Sequence, residues 1–180
     1  KQHLELARNL AQRFNAKYSD TFIVPEPYIG KKGSRIMSLQ NPDKKMSKSD
    51  NNINNIITLL DEPKIIRKKI NSSVTDSGKE IKSTNNKPGI KNLLNIYSAL
   101  SNQSVKKIEN QYKGKLYSEF KNDLSEVIIE TLEPIRKKYS DLMNNKDYLL
   151  NILDKGQISS NLIARKTMTK VYRKVGFINK

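Results

Sequence analysis

Apolar residues recur three and four positions apart along most of this chain, the period of helices that bury one face. Residues 3–14 place His3, Leu4, Ala7, Leu10, Ala11 and Phe14 at that spacing, with Arg8 and Arg13 opposite, and predict an amphipathic helix. Two stretches break the rhythm. Thr21-Phe-Ile-Val-Pro25 reads as a short strand stopped by its proline, and Arg35-Ile-Met-Ser-Leu39 as a second, after the flexible Gly30-Lys-Lys-Gly33. Residues 40–55 are polar, a lysine-rich loop. From residue 56 the pattern is helical almost throughout. Pro63 is placed to open a helix over 64–70, and Pro88 another that carries Ile90, Leu93, Leu94, Tyr97 and Leu100 on one face. Between them runs a long polar connection. Tyr117, Phe120, Leu124, Val127, Ile128 and Thr131 form the next stripe, ended or bent at Pro134 and extended by Ile135, Tyr139 and Leu142. Asp147 is placed to cap a short helix closing at Gly156, and a last helix with Ile158, Leu162, Met168, Val171, Tyr172 and Val175 ends at Gly176.

The pattern therefore predicts an α/β portion followed by an all-helical one. Two strands alone are marginal in water, so their sheet is expected to come from residues preceding Lys1. A first residue other than Met fits a piece of a longer protein. Apolar runs are short and charge-interrupted, far below the roughly 18 residues of a membrane span. The opening Lys1-Gln-His-Leu-Glu-Leu-Ala-Arg is amphipathic and unlike a secretory signal. No membrane association is expected.

Composition removes further chemistry. Cysteine is absent, which excludes disulfides, thiolate zinc sites and Cys nucleophiles and agrees with a reducing cytoplasm. His3 is the single histidine, so a multi-His metal site is excluded. The net charge of +16 favours a polyanionic partner such as nucleic acid, although a genome rich in Lys, Asn and Ile codons accounts for part of the lysine as solvated surface.

The stretch that carries chemistry is Lys44-Lys-Met-Ser-Lys-Ser-Asp50. Paired ammonium groups on a loop suit a reaction in which negative charge builds on departing pyrophosphate, with serines and backbone N–H groups as neutral donors. A loop also permits open and closed states. Gly30-Lys-Lys-Gly-Ser lacks the spacing of a P-loop. A solvated lysine-rich turn is the plain alternative.

Lys45-Met-Ser-Lys-Ser49 resembles, letter for letter, the lysine signature of class I aminoacyl-tRNA synthetases, and its neighbours narrow the resemblance. The opening helix, Pro25-Glu-Pro27, Gly33-Ser-Arg-Ile-Met-Ser-Leu39, Ser73-Val-Thr-Asp-Ser77, Pro88-Gly-Ile-Lys-Asn-Leu-Leu-Asn-Ile-Tyr97, Tyr112-x-Gly114 and Phe120-Lys-x-Asp-Leu124 are similar to the C-terminal half of bacterial-type tryptophanyl-tRNA synthetases. The resemblance runs over essentially the whole chain. It implies an α/β Rossmann-type class I catalytic domain, of which only the C-terminal part is present, with an inserted all-α helical domain, so that this piece is mostly α. Residues 1–59 would belong to the catalytic domain, 60–145 to a tRNA anticodon-binding domain, and 146–180 to helices returning to the catalytic domain.

The implied activity is ATP-dependent activation of L-tryptophan to its adenylate and transfer to tRNA(Trp), in a cytoplasmic homodimer that takes Mg2+ in with the ATP rather than on protein ligands. Lys45, Met46, Ser47, Lys48 and Ser49 inherit the ATP loop, with Lys48 and then Lys45 in the catalytic role, and Ile36 the position against the adenine. Arg35 is either phosphate-directed or a structural anchor. The His-Ile-Gly-His signature and the tryptophan pocket would lie N-terminal to this chain, so the piece alone is expected to be inactive. For RNA, Lys64, Arg67, Lys68, Lys69, Lys106 and Lys107 form a candidate phosphate-contacting surface, while Tyr97, Tyr112 and Tyr117 serve equally as stacking platforms or core. Two alternatives stand beside this reading: a non-catalytic basic helical RNA-binding module derived from a synthetase, and a tyrosyl-tRNA synthetase relative.

Overall fold

Six α-helices and one 3-10 turn account for the regular structure of residues 2–28 and 35–177, the residues that the computed structural model describes. In chain order the helices are α1 (Gln2–Tyr18), α2 (Pro63–Asn71), α3 (Pro88–Ser101), α4 (Val105–Gln111), α5 (Tyr117–Asn144) and α6 (Lys146–Val175), with the 3-10 turn at Ile53–Asn55. The chain divides into two compact units, residues 30–141 and residues 1–29 with 142–180. The mostly helical character expected of this piece holds.

The core of residues 30–141 follows directly from the helical stripes. Ile66 and Ile70 of α2, Leu93, Leu94 and Tyr97 of α3, Ile108 of α4, and Phe120, Leu124 and Ile128 of α5 are all buried together. Each such aliphatic or aromatic side chain stabilises the fold by roughly 1.5–3 kcal/mol relative to exposure. The rings of Tyr97 and Tyr112 pack on Phe120 with centroids 6.1 and 5.1 Å apart. Both tyrosines are core. Tyr112 donates its hydroxyl to Asp123 at 2.7 Å, and burial, then that bond, pushes its pKa far up. Tyr117 is half-buried and donates instead to Asp76 at 2.9 Å.

Helix ends are set by local chemistry. Pro63 and Pro88 stand in the first turns of α2 and α3, where a missing N–H costs nothing. Gly89 must be glycine for another reason, since a Cβ there would lie 2.2 Å from the Val74 carbonyl oxygen. The C-terminal end of α2 is held by Lys121, which donates to the carbonyls of Ser73 (2.8 Å) and Asn71 (3.3 Å). Burial lowers the pKa of this ammonium. Asp76 gathers the polar connection after α2, accepting from Gly78 N–H at 2.8 Å and pairing with Lys87 at 3.5 Å.

In the other unit, α1 is followed by an extended stretch that folds back on it. Asn15 Oδ1 accepts from the N–H groups of Thr21 and Phe22, and its Nδ2 donates to the Phe22 carbonyl. Phe14 packs edge-on against Phe22 at 5.0 Å. Arg8 bonds the Pro25 carbonyl and pairs with Glu26. Lys174, in the last turn of α6, donates to Asp20 O at 2.8 Å and Thr21 Oγ1 at 2.7 Å. Gly176, with φ of +85°, ends α6 where the pattern places it.

Three expectations change. Neither expected strand forms as such: among the described residues, 21–28 have no strand neighbour, and 35–39 make only the isolated antiparallel bridge Met37–Lys45. The Gly30–Gly33 stretch lies outside the described residues. Pro134 lies inside α5, which runs on to Asn144 through Ile135, Tyr139 and Leu142 as the pattern extends it, and its exposed position lets solvent take the freed carbonyl. Gly156 does not close a helix either. It lies inside the 30-residue α6, whose cap is Asn145, accepting from Tyr148 N–H, rather than Asp147. Interior glycine costs about 1 kcal/mol, too little to break a long amphipathic helix. Helix α4, capped by Ser104, was not anticipated.

Candidate functional site

The lysine signature is the outer arm of a small hairpin whose base is hydrogen-bonded. Ser38 N–H donates to Lys44 O at 2.8 Å and Met46 N–H to Ile36 O at 3.0 Å, which pairs 36–38 with 44–46 around the Met37–Lys45 bridge. Alternation then sends successive side chains opposite ways. Met46 packs partly buried against the core, while Lys45 is exposed. Ile36 also lies partly buried against that core. Ser38 and Leu39 are fully buried, and Leu39 joins the core of the helical unit. Its N–H donates to Asn55 O at 3.1 Å and its carbonyl accepts from Val74 N–H at 2.9 Å.

Beyond Met46 the chain turns tightly. Asp50 N–H donates to Ser47 O at 3.2 Å, and the hydroxyls of Ser47 and Ser49 lie 3.0 Å apart. Asp50 closes the turn by accepting from Asn52 N–H at 3.0 Å and Asn55 Nδ2 at 2.8 Å. Those two bonds, the backbone one first, hold its carboxyl below the usual range, with help from Lys44. Lys45, Ser47, Lys48 and Ser49 are all exposed. The arrangement offers two ammonium groups and two hydroxyls on one short arm, anchored at its root and open at its tip.

The basic residues considered for RNA separate into different environments. Lys64, Arg67 and Lys68 are exposed on α2, and Lys106 and Lys107 on α4, which packs on α3. Arg67 is engaged by Glu126 through two bonds of 2.7 and 2.9 Å. Lys69 is not on that surface. It is 4% exposed and paired with Asp61 at 2.6 Å, because its position in α2 puts it beside Ile66 and Ile70 on the inward side. Burial pushes the Asp61 carboxyl up, but bonds from Lys69 and Thr58 outweigh that and leave it lowered.

Residues 1–133 match the family model for class I tRNA synthetases (W and Y). The chain belongs to this family. Among class I synthetases, its similarity to the tryptophan members is closely documented. It is 50% identical over 177 residues to the tryptophan–tRNA ligase of Clostridium acetobutylicum, covering 98% of this chain and 53% of that one. It is 52% identical over 177 residues to the tryptophan–tRNA ligase of Bacillus subtilis, again covering 98% and 53%. The solved tryptophanyl-tRNA synthetase of Mycoplasma pneumoniae superposes with a TM-score of 0.86 at 33% identity, over 98% of this chain and 54% of that structure. The Campylobacter jejuni synthetase, solved with ADP and tryptophan, superposes with a TM-score of 0.67 at 28% identity, over 98% and 54%. The chain thus spans about half the length of the curated relatives it matches. No helix among the described residues is long and apolar enough to cross a membrane.

One residue of the site escaped the sequence reading. Asn92 of α3 is buried at the root of the hairpin and bonded to Met37, and its sequence signals are a polar residue among apolar ones and its place in the Pro88–Tyr97 motif.

Proposed function

We propose that this chain is the ATP-loop and helical half of a tryptophan–tRNA ligase, which activates tryptophan on ATP and transfers it to tRNA(Trp). The observation that carries the reading is the hairpin itself: Lys45 and Lys48 stand exposed on a short arm whose root is bonded into a folded core. When the tryptophan carboxylate attacks the α-phosphate, charge accumulates on the leaving pyrophosphate. Two ammonium groups reaching that charge lower the barrier only where it develops, the condition for raising the rate rather than ground-state binding. Lys48 takes the larger share, at the free tip, and Lys45 the smaller, at the paired base. Met46 anchors the arm, Ser47 and Ser49 add neutral donors, and Ile36 lies against the adenine. Magnesium enters on the triphosphate.

Residues 1–59 serve the catalytic domain, 60–145 form the helical tRNA anticodon-binding domain, and 146–180 return to the catalytic domain. The loop serves the nucleotide by function but packs with the helical unit. Lys64, Lys68, Lys106 and Lys107 contact RNA phosphates, with Arg67 shared between RNA and Glu126. Lys69 is withdrawn from that set by its burial. The protein works in the cytoplasm as a homodimer.

The test joins this chain to the N-terminal portion of the Bacillus subtilis relative and measures pyrophosphate exchange into ATP. Exchange that depends on tryptophan and ignores tyrosine is expected. Exchange driven by tyrosine overturns the substrate assignment, and salt-sensitive RNA binding with no exchange at all favours the binding module.

A further inference from the structure

The hairpin root has two hydrogen-bonding edges, and only one of them is used by the lysine arm. Ile36 O and Ser38 N face residues 44–46. The N–H and carbonyl of Met37 between them face the opposite way, where a sheet would supply another strand. There the side chain of Asn92 stands instead. Met37 N–H donates to Asn92 Oδ1 at 2.9 Å, and Asn92 Nδ2 donates to Met37 O at 2.8 Å. One carboxamide thereby satisfies both polar groups of one peptide residue, and reversing the amide would set donor against donor. Asn92 is 3% exposed and is buried on α3 among mostly apolar residues. A buried amide there costs stability unless it is fully bonded, and its two partners are 55 residues away in sequence.

We propose that Asn92 is a positioning residue for adenylate formation, acting through Met37 to fix the register of 36–38 against 44–46 and so the placement of Lys45 and Lys48. This rests on the reading of the hairpin as the ATP arm. With the clamp in place, residues 36–38 cannot slide or twist without breaking two part-buried bonds. Without it, the arm keeps its own paired bonds but loses its tie to α3.

The experiment uses Asn92→Asp in the same joined enzyme, a near-isosteric change that keeps the acceptor for Met37 N–H but sets a carboxylate oxygen against the Met37 carbonyl. The kcat of pyrophosphate exchange is expected to fall on the order of 10²-fold, the scale of a misplaced catalytic group, with KM for tryptophan unchanged. Amide hydrogen exchange is expected to show Met37, Ser38 and Met46 losing protection while α3 keeps its own. Protonating the new carboxyl restores a donor, so the variant's rate relative to the parent is expected to rise as pH falls. Unchanged protection of those three amides overturns the proposal, and so does lost protection with an unchanged kcat. If the variant does not fold, the parent decides: a Met37 amide that exchanges as fast as those of Ser47 to Ser49 overturns it, and a protected one supports it. Hydrogen exchange does not depend on the chemistry, so a failure of the ATP-arm reading at Lys48 stays separate from a failure of the clamp.

Discussion

The two units of this chain use similar amphipathic helices to opposite effect. Between Leu39 and Leu132 the apolar stripes meet one another, and every buried apolar side chain among the described residues lies there. Helices α1 and α6 also carry apolar positions at helical spacing, yet none of their residues is buried, and Leu6, Leu10, Leu150, Leu153, Leu162 and Ile163 are each more than half exposed. What ties that unit together is mostly polar: Asn15 on the Thr21–Phe22 backbone, and Lys174 on residues 19–21. Periodicity thus reports that a helix has a face to bury, not that the chain in hand buries it. A unit held by a closed core should be hard to perturb except from inside, and a unit held by polar ties should be indifferent to loss of its apolar groups.

The largest expected effect tests the inside of the first unit. Asp61→Ala leaves the ammonium of Lys69, buried and otherwise uncompensated, and is expected to destabilise residues 30–141 by about 3–5 kcal/mol, read from the urea midpoint. Next comes a matched pair that sets the units against each other directly. Leu94→Ala, at a fully buried position, is expected to cost about 2–5 kcal/mol, whereas Leu153→Ala costs within about 0.5 kcal/mol in this chain. A large loss at Leu153 in the 180-residue chain would break the comparison. In the joined enzyme, a loss that grows would sharpen it, since the proposed return of α6 to the catalytic domain covers that face.

Acid should act on the first unit in the same way. Asp50, Asp61, Asp76 and Glu126 all have lowered carboxyl pKa values. For Asp76, burial raises it but Gly78 N–H, the Tyr117 hydroxyl and Lys87 outweigh that. For Glu126, the bond from Arg67 dominates. The unfolded chain therefore binds more protons than the folded one below about pH 4. Their contribution is complete above that pH and is lost as pH falls through the lowered folded values, which circular dichroism at 222 nm across a pH titration checks. Smallest of all, Gly156→Ala is expected to stabilise α6 by about 0.5–1 kcal/mol, because the added Cβ meets nothing and only helix propensity changes.

Much of this was legible in the residues, and the rest failed for identifiable reasons. Pro63 and Pro88 announced α2 and α3 because proline in a first turn is both permitted and pre-shaped. Gly156 reads as a break in the pattern, but its local cost of about 1 kcal/mol yields to a long helix continuing on both sides. Helix α4, seven residues with Ile108 as its one buried side chain, is too short to show a period. The signature 45–49 stands out in the residues as a candidate phosphate-directed loop, and the fold adds only its paired root. Composition groups Lys69 with its neighbours, although its phase beside Ile66 and Ile70 marks it as inward. Asn92 stands in the Pro88–Tyr97 motif, but its role is not legible there, because its partner is a backbone stretch that only the fold brings next to it.

The central claim is that ammonium groups on the 45–49 arm stabilise departing pyrophosphate. The most direct test is the kcat for tryptophan-dependent pyrophosphate exchange in Lys48→Ala, measured beside its melting temperature. A fall of about 10²–10³-fold in kcat is expected, the scale of removing one preorganised charge-stabilising group, with melting unchanged because Lys48 is exposed. A variant that exchanges pyrophosphate as fast as its parent would contradict the account.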